Sequence, residues 1–311
     1  MKLSPGLIER FRSDLVRLTS DGRIGLAVSG GPDSMALLHL AAAAFPGRVE
    51  AATVDHGLRP EAAAEAGLVA GACAALNVPH RILEVDVPAA ASIQSAARRV
   101  RYAALADWCR ERGLTALATA HHADDQAETL LMRLARGAGL SGLSGIRERR
   151  DLGGILLVRP LLGWRRAELA ALVVRIDTDD DPSNADLRHD RTRVRALLAA
   201  VSAEIDPSRI AASAAYLAEA DAALEWLVDE AIRSRVDRPD RDRIVADVEG
   251  LPREIIRRIL ARLIGETDSP VDGPTLETAM TRLDKGQHAS VGALKLSPGN
   301  RIMIEKATPR R

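Results

Sequence analysis

Two adjacent glycines framed by serines, Ser29-Gly30-Gly31-Pro32-Asp33-Ser34, stand where an apolar run from Ile24 to Val28 gives way to the helical pattern Met35-Ala36-Leu37-Leu38-His39-Leu40. Glycine allows positive φ values and close backbone approach. A helix starting there turns free N–H groups and the positive end of its dipole toward an anion. Pyrophosphate binding is the chemistry this order suits. The alternative is a plain strand-to-helix turn in which Asp33 or Ser34 caps the helix. No Gly-Lys-Ser/Thr follows the glycines, so the turn is not of the Walker type.

A second constellation runs from His121 to Gly145. Asp124, Asp125 and Glu128 open a helix whose apolar residues Leu130, Leu131 and Leu134 follow a helical period. Offsets of three and four put Glu128 on the face of both aspartates. Three carboxylates would then ring one spot able to hold a cationic substrate or a magnesium ion. Against this stands a capping box, with Asp125 as N-cap and Glu128 three residues on. His121 and His122 are adjacent and no H-x-x-x-H spacing exists, which argues against zinc. Gly137-Ala138-Gly139-Leu140-Ser141-Gly142 matches the dinucleotide fingerprint, but a helix ending in Arg133 and Arg136 precedes it rather than a strand. A glycine-capped helix end and a mobile loop are expected there, with Arg133 and Arg136 available to a phosphate chain. The third constellation is Asp181-Pro182-Ser183-Asn184-Ala185-Asp186 followed by Arg188, Arg191, Arg193 and Arg195. Arginine forks suit an RNA backbone or an anionic transition state. A solvated helix face paired with Asp186 and Asp190 has the same charge pattern.

These residues need elements to position them. Strands are read near 24 to 28, 49 to 54, 80 to 85 and 114 to 119, separated by helical segments near 34 to 45, 60 to 76 and 93 to 112. That alternation predicts an α/β fold with a doubly wound parallel sheet, whose ligand lies beyond the carboxyl ends of the strands. Three strand ends carry unusual chemistry: the glycine turn, Asp55-His56-Gly57-Leu58-Arg59, and Thr119 to Asp125. They should converge on one site. From about 200 the pattern changes to a long alanine-rich helix near 208 to 234, a turn-rich link at Asp237-Arg238-Pro239-Asp240, helices near 252 to 264 and 274 to 284, and β runs near 290 to 296 and 301 to 305. A catalytic domain over 1–200 and a smaller, mainly helical accessory domain over 201–311 are expected. The 311 residues suffice for two cores. The chain has 43 basic and 43 acidic residues, and its only lysines are Lys2, Lys285, Lys295 and Lys306, so any nucleic-acid surface must be local and built of arginine. Cys73 and Cys109 are the only cysteines and form no C-x-x-C pair, which argues against disulfides, zinc ribbons and cysteine-held iron–sulfur clusters. No apolar stretch reaches the roughly 18 residues of a membrane helix and no signal-peptide core is evident, so a cytoplasmic protein with no membrane partner is expected.

The glycine turn resembles the PP-loop of the N-type ATP pyrophosphatases, which split ATP into AMP and pyrophosphate to adenylate a substrate. With the other segments it resembles one family of them in particular, the bacterial tRNA(Ile)-lysidine synthases. The family's His-His-x-Asp-Asp-Gln-x-Glu-Thr run, ending in Arg-Gly-x-Gly-x-x-Gly-Leu, is present almost whole from His121 to Leu143. Its Arg-Tyr element is Arg101-Tyr102, preceded by Ala97-Arg98, and its Asp-Pro-Ser-Asn-x-Asp element is Asp181 to Asp186. The resemblance covers roughly residues 20 to 200. Two positions depart from it: His189 replaces an aromatic residue, and Arg191-Thr192 an Arg-Asn pair. The carboxyl-terminal region is similar to the short form with a single accessory domain.

The resemblance implies a PP-loop fold and a ligase that adenylates C2 of the wobble cytidine in a CAU anticodon, then lets the amine of free lysine displace AMP. It implies that Ser29, Gly30, Gly31, Pro32, Asp33 and Ser34 cradle the pyrophosphate of ATP, that Asp33 helps hold Mg2+, and that Thr53, Asp55 and His56 border the adenosine. Asp125 and Glu128 would grip lysine, and Arg101 or Arg195 would offset charge as pyrophosphate or AMP leaves. Arg133, Arg136, Arg188, Arg191 and Arg193 would meet tRNA, and a homodimer is compatible with the sequence. A PP-loop tRNA thiolase would share the adenylation, but the missing C-x-x-C weakens that reading. A non-catalytic nucleotide- or RNA-binding module is the remaining class, separated from the ligase by lysine-dependent pyrophosphate release.

Overall fold

The computed structural model describes residues 3–20, 22–56, 62–87, 93–178, 190–201, 204–240, 242–267 and 271–307. The chain forms two compact units, Met1–Ala218 and Glu219–Arg311. The expected division at 200/201 lies ahead of the long helix of residues 207–235, and the observed one falls within it.

The first unit opens with helix α1 (Pro5–Leu18), which begins at the Ser4 cap with Pro5 in its first turn and buries Phe11, Leu15 and Leu18. The elements that follow are β1 (Ile24–Ala27), α2 (Pro32–Ala44), β2 (Val49–Asp55), α3 (Ala62–Ala75), β3 (His80–Glu84), α4 (Ile93–Arg112), β4 (Ala116–Ala118) and α5 (Ala123–Leu134). Then come α6 (Leu140–Leu143), β5 (Arg149–Asp151), β6 (Leu156–Val158), α7 (Arg166–Val173), α8 (Asp190–Ala200) and α9 (Pro207–Arg235). The six-stranded sheet has the order β3-β2-β1-β4-β6-β5 and is parallel except at its β5 edge. All four expected strands are present, joined by the unanticipated β5 and β6.

Strand order sets the position of the site. β1 lies between β2 and β4, with Leu26 paired to both Ala51 and Ala118, so the connections leave β1 in opposite directions and open a crevice at its carboxyl end. The crevice walls are fixed by packing. One face of the sheet carries Phe11, Leu15, Met35, Leu37, Leu38, Trp164 and Leu169; the other carries Tyr102, Leu105, Trp108 and Cys109 of α4. α2 is apolar on all sides and correspondingly buried. Gly25 brings α4 close to β1, since a Cβ there would lie 2.7 Å from the Trp108 ring. Trp164, fully buried, donates its Nε1–H to Asp14 at 2.9 Å and lies under the Arg10 guanidinium at 4.0 Å.

The second unit holds β7 (Val236–Asp240), β8 (Arg243–Asp247), α10 (Arg253–Gly265), α11 (Gly273–Asp284), β9 (Ala289–Val291), β10 (Leu294–Ser297) and β11 (Arg301–Lys306). Its antiparallel sheet, β7-β8-β11-β10-β9, is larger than the two β runs expected. The run near 290 to 296 is a hairpin turned at Gly292, and the expected turn-rich link is an edge strand, where Pro239 is tolerated because an edge needs fewer donors. Apolar stripes of α10 and α11 cover this sheet with Ile259, Leu263, Leu276 and Met280. Among the described residues no helix is long and apolar enough to cross a membrane.

Candidate active site

The glycine turn is shaped by its own residues. Gly30 takes φ +91°, a conformation closed to most side chains. Gly31 is the N-cap of α2 and makes no side-chain cap, so the first-turn N–H groups remain directed at the crevice. Ser34 Oγ donates to the Gly31 carbonyl at 2.9 Å and accepts from the Ser29 N–H at 3.1 Å and the Ser29 hydroxyl at 3.3 Å. Asp33 is therefore not a cap. Its Oδ2 lies 3.3 Å from His122 Nε2, and its Oδ1 is buried with no hydrogen-bond partner among the described residues.

At the start of α5 the capping account is corrected. His122, not Asp125, is the N-cap: its Nδ1 accepts the Asp125 N–H at 3.3 Å, and Asp125 Oδ2 accepts the His122 N–H at 3.1 Å. The box closes on Asp125 and leaves Glu128 one turn farther on. Glu128, 2% exposed, accepts from Arg191 Nε at 2.5 Å and Arg195 Nε at 2.7 Å, while Asp125 Oδ1 accepts from Arg191 Nη2 at 2.5 Å. Asp124 does not join them. Its carboxylate turns to α7, accepting the Arg166 N–H at 2.8 Å and the Arg165 side chain. Two carboxylates, not three, share a spot, and arginines of α8 lie on both.

The remaining walls come from β2 and α4. Thr53 Oγ1 is 2.9 Å from His80 Nε2, and His56 Nδ1 is buried without a partner among the described residues. The guanidinium of Arg101 lies 5.3 Å from the centre of the Tyr102 ring. Together these groups line a cavity of about 540 Å³ that receives Ser29, Asp33, Thr53, His56, Arg101, His121, Asp125, Arg191 and Arg195. The three expected strand ends thus do converge. Gly57, Leu58, Arg59, Arg188, His189 and the Asp181 to Asp186 motif lie outside the described residues.

Other sequence candidates lie apart from the cavity. Arg133 donates to the carbonyls of Gly142 and Gly145 at 2.6 and 2.9 Å, holding the loop after α5. Arg136 and Arg193 both pair with Asp190. The fingerprint-like glycines end α5 with Gly137 at φ +68° and then begin the short α6, where a mobile loop was expected. The sequence reading missed Arg166, which lines the cavity from the first turn of α7. Its one signal was Glu168, whose Oε2 accepts the Arg165 N–H at 2.7 Å from three residues along. The cap position holds Arg165, not the usual Ser, Thr, Asp or Asn.

Electrostatics separate the two histidines. Burial, with Arg159, Arg98, Arg191 and Arg101 nearby, holds His121 neutral, its pKa well below 6.5. Burial also opposes charge on His122, but the Asp33 carboxylate hydrogen-bonded to it, with Asp125 and Asp124, raises its pKa. Burial pushes Asp125 up despite His122 and Arg191; for Glu128, hydrogen bonds from Arg195 and Arg191 outweigh burial and pull it down. Burial also lowers His39, His56 and His80. A histidine held below its unfolded value contributes stability that is fully present above that value and drains away as pH falls toward the folded one. Four histidines act in this sense and His122 in the opposite one. The urea midpoint should therefore fall between pH 7.5 and 5.5; a midpoint that rises on acidification would show that His122 dominates.

The cysteines take no part. Cys73 and Cys109 lie in separate cores, with burial pushing their thiols up to about 11 and about 12.

Residues 7–201 match the model of the PP-loop domain. A tRNA(Ile)-lysidine synthase of Novosphingobium aromaticivorans is 47% identical across 93% of this chain and 90% of its own length. One of Zymomonas mobilis is 42% identical over the same shares of the two chains. Among solved structures, a U34-tRNA thiolase of Methanococcus maripaludis with its [4Fe-4S] cluster superposes with a TM-score of 0.57 at 16% identity, covering 68% of this chain and 79% of that one. That last likeness is one of fold. With the PP-loop fold carried by residues 7–201 and the sequence match running through more than nine-tenths of its length, the chain belongs to the tRNA(Ile)-lysidine synthase family.

Proposed function

We propose that this chain ligates free lysine to C2 of the wobble cytidine in the CAU anticodon of tRNA(Ile), consuming ATP and releasing AMP and pyrophosphate. The observation that carries the proposal is the cavity in which an uncapped glycine-turn helix faces Asp125, joined through Arg191 to the buried Glu128 behind it. The nucleotide lies with its phosphates on the N–H groups of Gly31, Asp33 and Ser34 and its adenosine toward Thr53 and His56. The cytidine O2 attacks the α-phosphorus, and the bond to pyrophosphate breaks with its electron pair leaving on pyrophosphate. A neutral lysine amine then adds to C2, and AMP departs with the former O2.

A magnesium ion fits this site, because the buried Asp33 Oδ1 is an unshared hard oxygen and magnesium takes one or two carboxylates along with phosphate oxygens. When bound, it would neutralise phosphate charge. Asp125 and Glu128 recognise the lysine ammonium. Asp125 is the freer of the two, with one guanidinium nitrogen and one backbone N–H against three arginine N–H contacts on Glu128. Lysine nitrogen of pKa about 10.4 must lose a proton before attack, and the carboxylates that bind it favour the charged form. Arg101 and Arg195, which line the cavity, would offset the charge that accumulates as pyrophosphate and AMP leave.

The test is incubation with ATP, magnesium, labelled lysine and a CAU-anticodon isoleucine tRNA transcript. ATP-dependent label in the tRNA is expected; pyrophosphate release that ignores lysine, with no label, sinks the proposal. The tRNA surface has its own test. Binding should weaken steeply with salt through counterion release, and Arg193→Ala should flatten the slope by about one unit. Arg191→Ala should flatten it less, since its charge already faces Asp125 and Glu128. An unchanged slope in Arg193→Ala would return that residue to a solvated helix face.

A further inference from the structure

Arg166 is the arginine of the cavity that the scheme above leaves unused. It is the first residue of α7, and its backbone is fixed: its N–H donates to Asp124 Oδ2 at 2.8 Å, and the Ala123 N–H donates to the Trp164 carbonyl at 2.8 Å just ahead of it. α7 packs along α2, sharing the core of Leu169 and Val173 with Met35, Leu37 and Leu38. The cap of α5 reaches the first turn of α2 through His122 and Asp33. The amino ends of α2, α5 and α7 are thereby tied to one another at the glycine turn.

Each of these ends directs its positive dipole end there, and Arg166 adds a full charge. Among the cavity arginines, Arg191 and Arg195 lie on Asp125 and Glu128, and Arg101 stands beside Tyr102 on the α4 wall. Arg166 lines the cavity, and its guanidinium makes no ion pair with a carboxylate among the described residues. A guanidinium with no ion-pair partner among the described residues, in a cleft of positive helix ends beside a glycine turn that offers backbone N–H groups and the Asp33 carboxylate, suits an oligophosphate carried with its cation.

We propose that Arg166 is a catalytic residue that binds the two terminal phosphates of ATP and neutralises the charge gained by pyrophosphate as the α-phosphorus to oxygen bond breaks. This rests on the ligase reading for its reaction, but not for its ligand. The guanidinium gives planar, two-pronged donors that a lysine at this position would reproduce only as a point charge.

The experiment measures binding of magnesium pyrophosphate and of AMP to the full chain without tRNA, then steady-state constants for ATP and lysine, in Arg166→Gln and Arg166→Lys. Arg166→Gln should weaken pyrophosphate about tenfold to a hundredfold, the scale of one lost charged hydrogen bond, and leave AMP within twofold. Arg166→Lys should recover part of the loss. Unchanged melting temperatures show that the variants fold. Unchanged pyrophosphate binding in Arg166→Gln overturns the proposal. A raised KM for lysine with pyrophosphate unaffected overturns it in favour of a lysine carboxylate site, and a smaller salt slope for tRNA alone overturns it in favour of RNA contact. Should the parent protein transfer no lysine yet lose pyrophosphate affinity on Arg166→Gln, the ligase reading fails and Arg166 stands.

Discussion

Asp33→Ala should abolish pyrophosphate release, by a hundredfold or more, while the protein stays folded. The stability cost is small because Asp33 caps nothing: Gly31 holds the cap position, and an acid in the first turn of a helix contributes about 0.3 to 1 kcal/mol. The catalytic cost is large because the lost group is the buried, unpartnered oxygen proposed to hold magnesium, and a hundredfold corresponds to about 2.7 kcal/mol of transition-state stabilisation. Asp33→Asn sharpens the assignment. The amide keeps the shape and a contact to His122 but offers a cation no charge, so it should behave like alanine if Asp33 holds magnesium. A second readout follows from His122, whose raised pKa depends on the Asp33 carboxylate and should drop in both variants. Turnover within threefold of the parent in Asp33→Asn would remove the metal role.

Much of this site was legible because its signals are local. Two glycines between serines after an apolar run can fold in few ways, and four strands read correctly to within two residues of their ends. The missing pieces are those without local signals. β5 and β6 have three residues each, too few to show a period. α7 begins at an arginine where a capping residue would announce it, so Arg166 was invisible as a site residue. α1 did carry its signal, Ser4 followed by Pro5 and apolar residues at Phe11, Leu15 and Leu18. The error at α5 was different in kind: Asp125 and Glu128 have the spacing of a capping box, but a histidine nitrogen one turn earlier accepts the same N–H that a serine would. Nothing in the residues from 121 to 128 discloses that the arginines reaching them come from 191 and 195, some 65 positions away.

That correction changes what Asp125 and Glu128 must answer to. Capping no longer competes for Glu128, since the box closes on Asp125. The competing account is that Glu128 merely orders Arg191 and Arg195. If the pair grips lysine, Asp125→Asn should raise the KM for lysine tenfold to a hundredfold, the scale of a charged contact of about 1.5 to 3 kcal/mol, with ATP and tRNA binding nearly untouched. The amide can still accept the His122 N–H, so the cap survives. Glu128→Gln should also raise the lysine KM, but it leaves two guanidinium groups facing an amide. Removing one partner of a fully buried pair costs about 3 to 5 kcal/mol; here Arg191 and Arg195 are 41% and 32% exposed, so water recovers part of it and about 1 to 3 kcal/mol is expected. The two variants therefore separate the roles. Loss of lysine affinity in both, with loss of melting temperature confined to Glu128→Gln, assigns recognition to the pair and arginine ordering to Glu128 in addition. A lysine KM within twofold of the parent in Asp125→Asn and Glu128→Gln alike, at saturating ATP and tRNA, would leave the carboxylates as anchors for the arginines of α8 and move the lysine site elsewhere in the cavity.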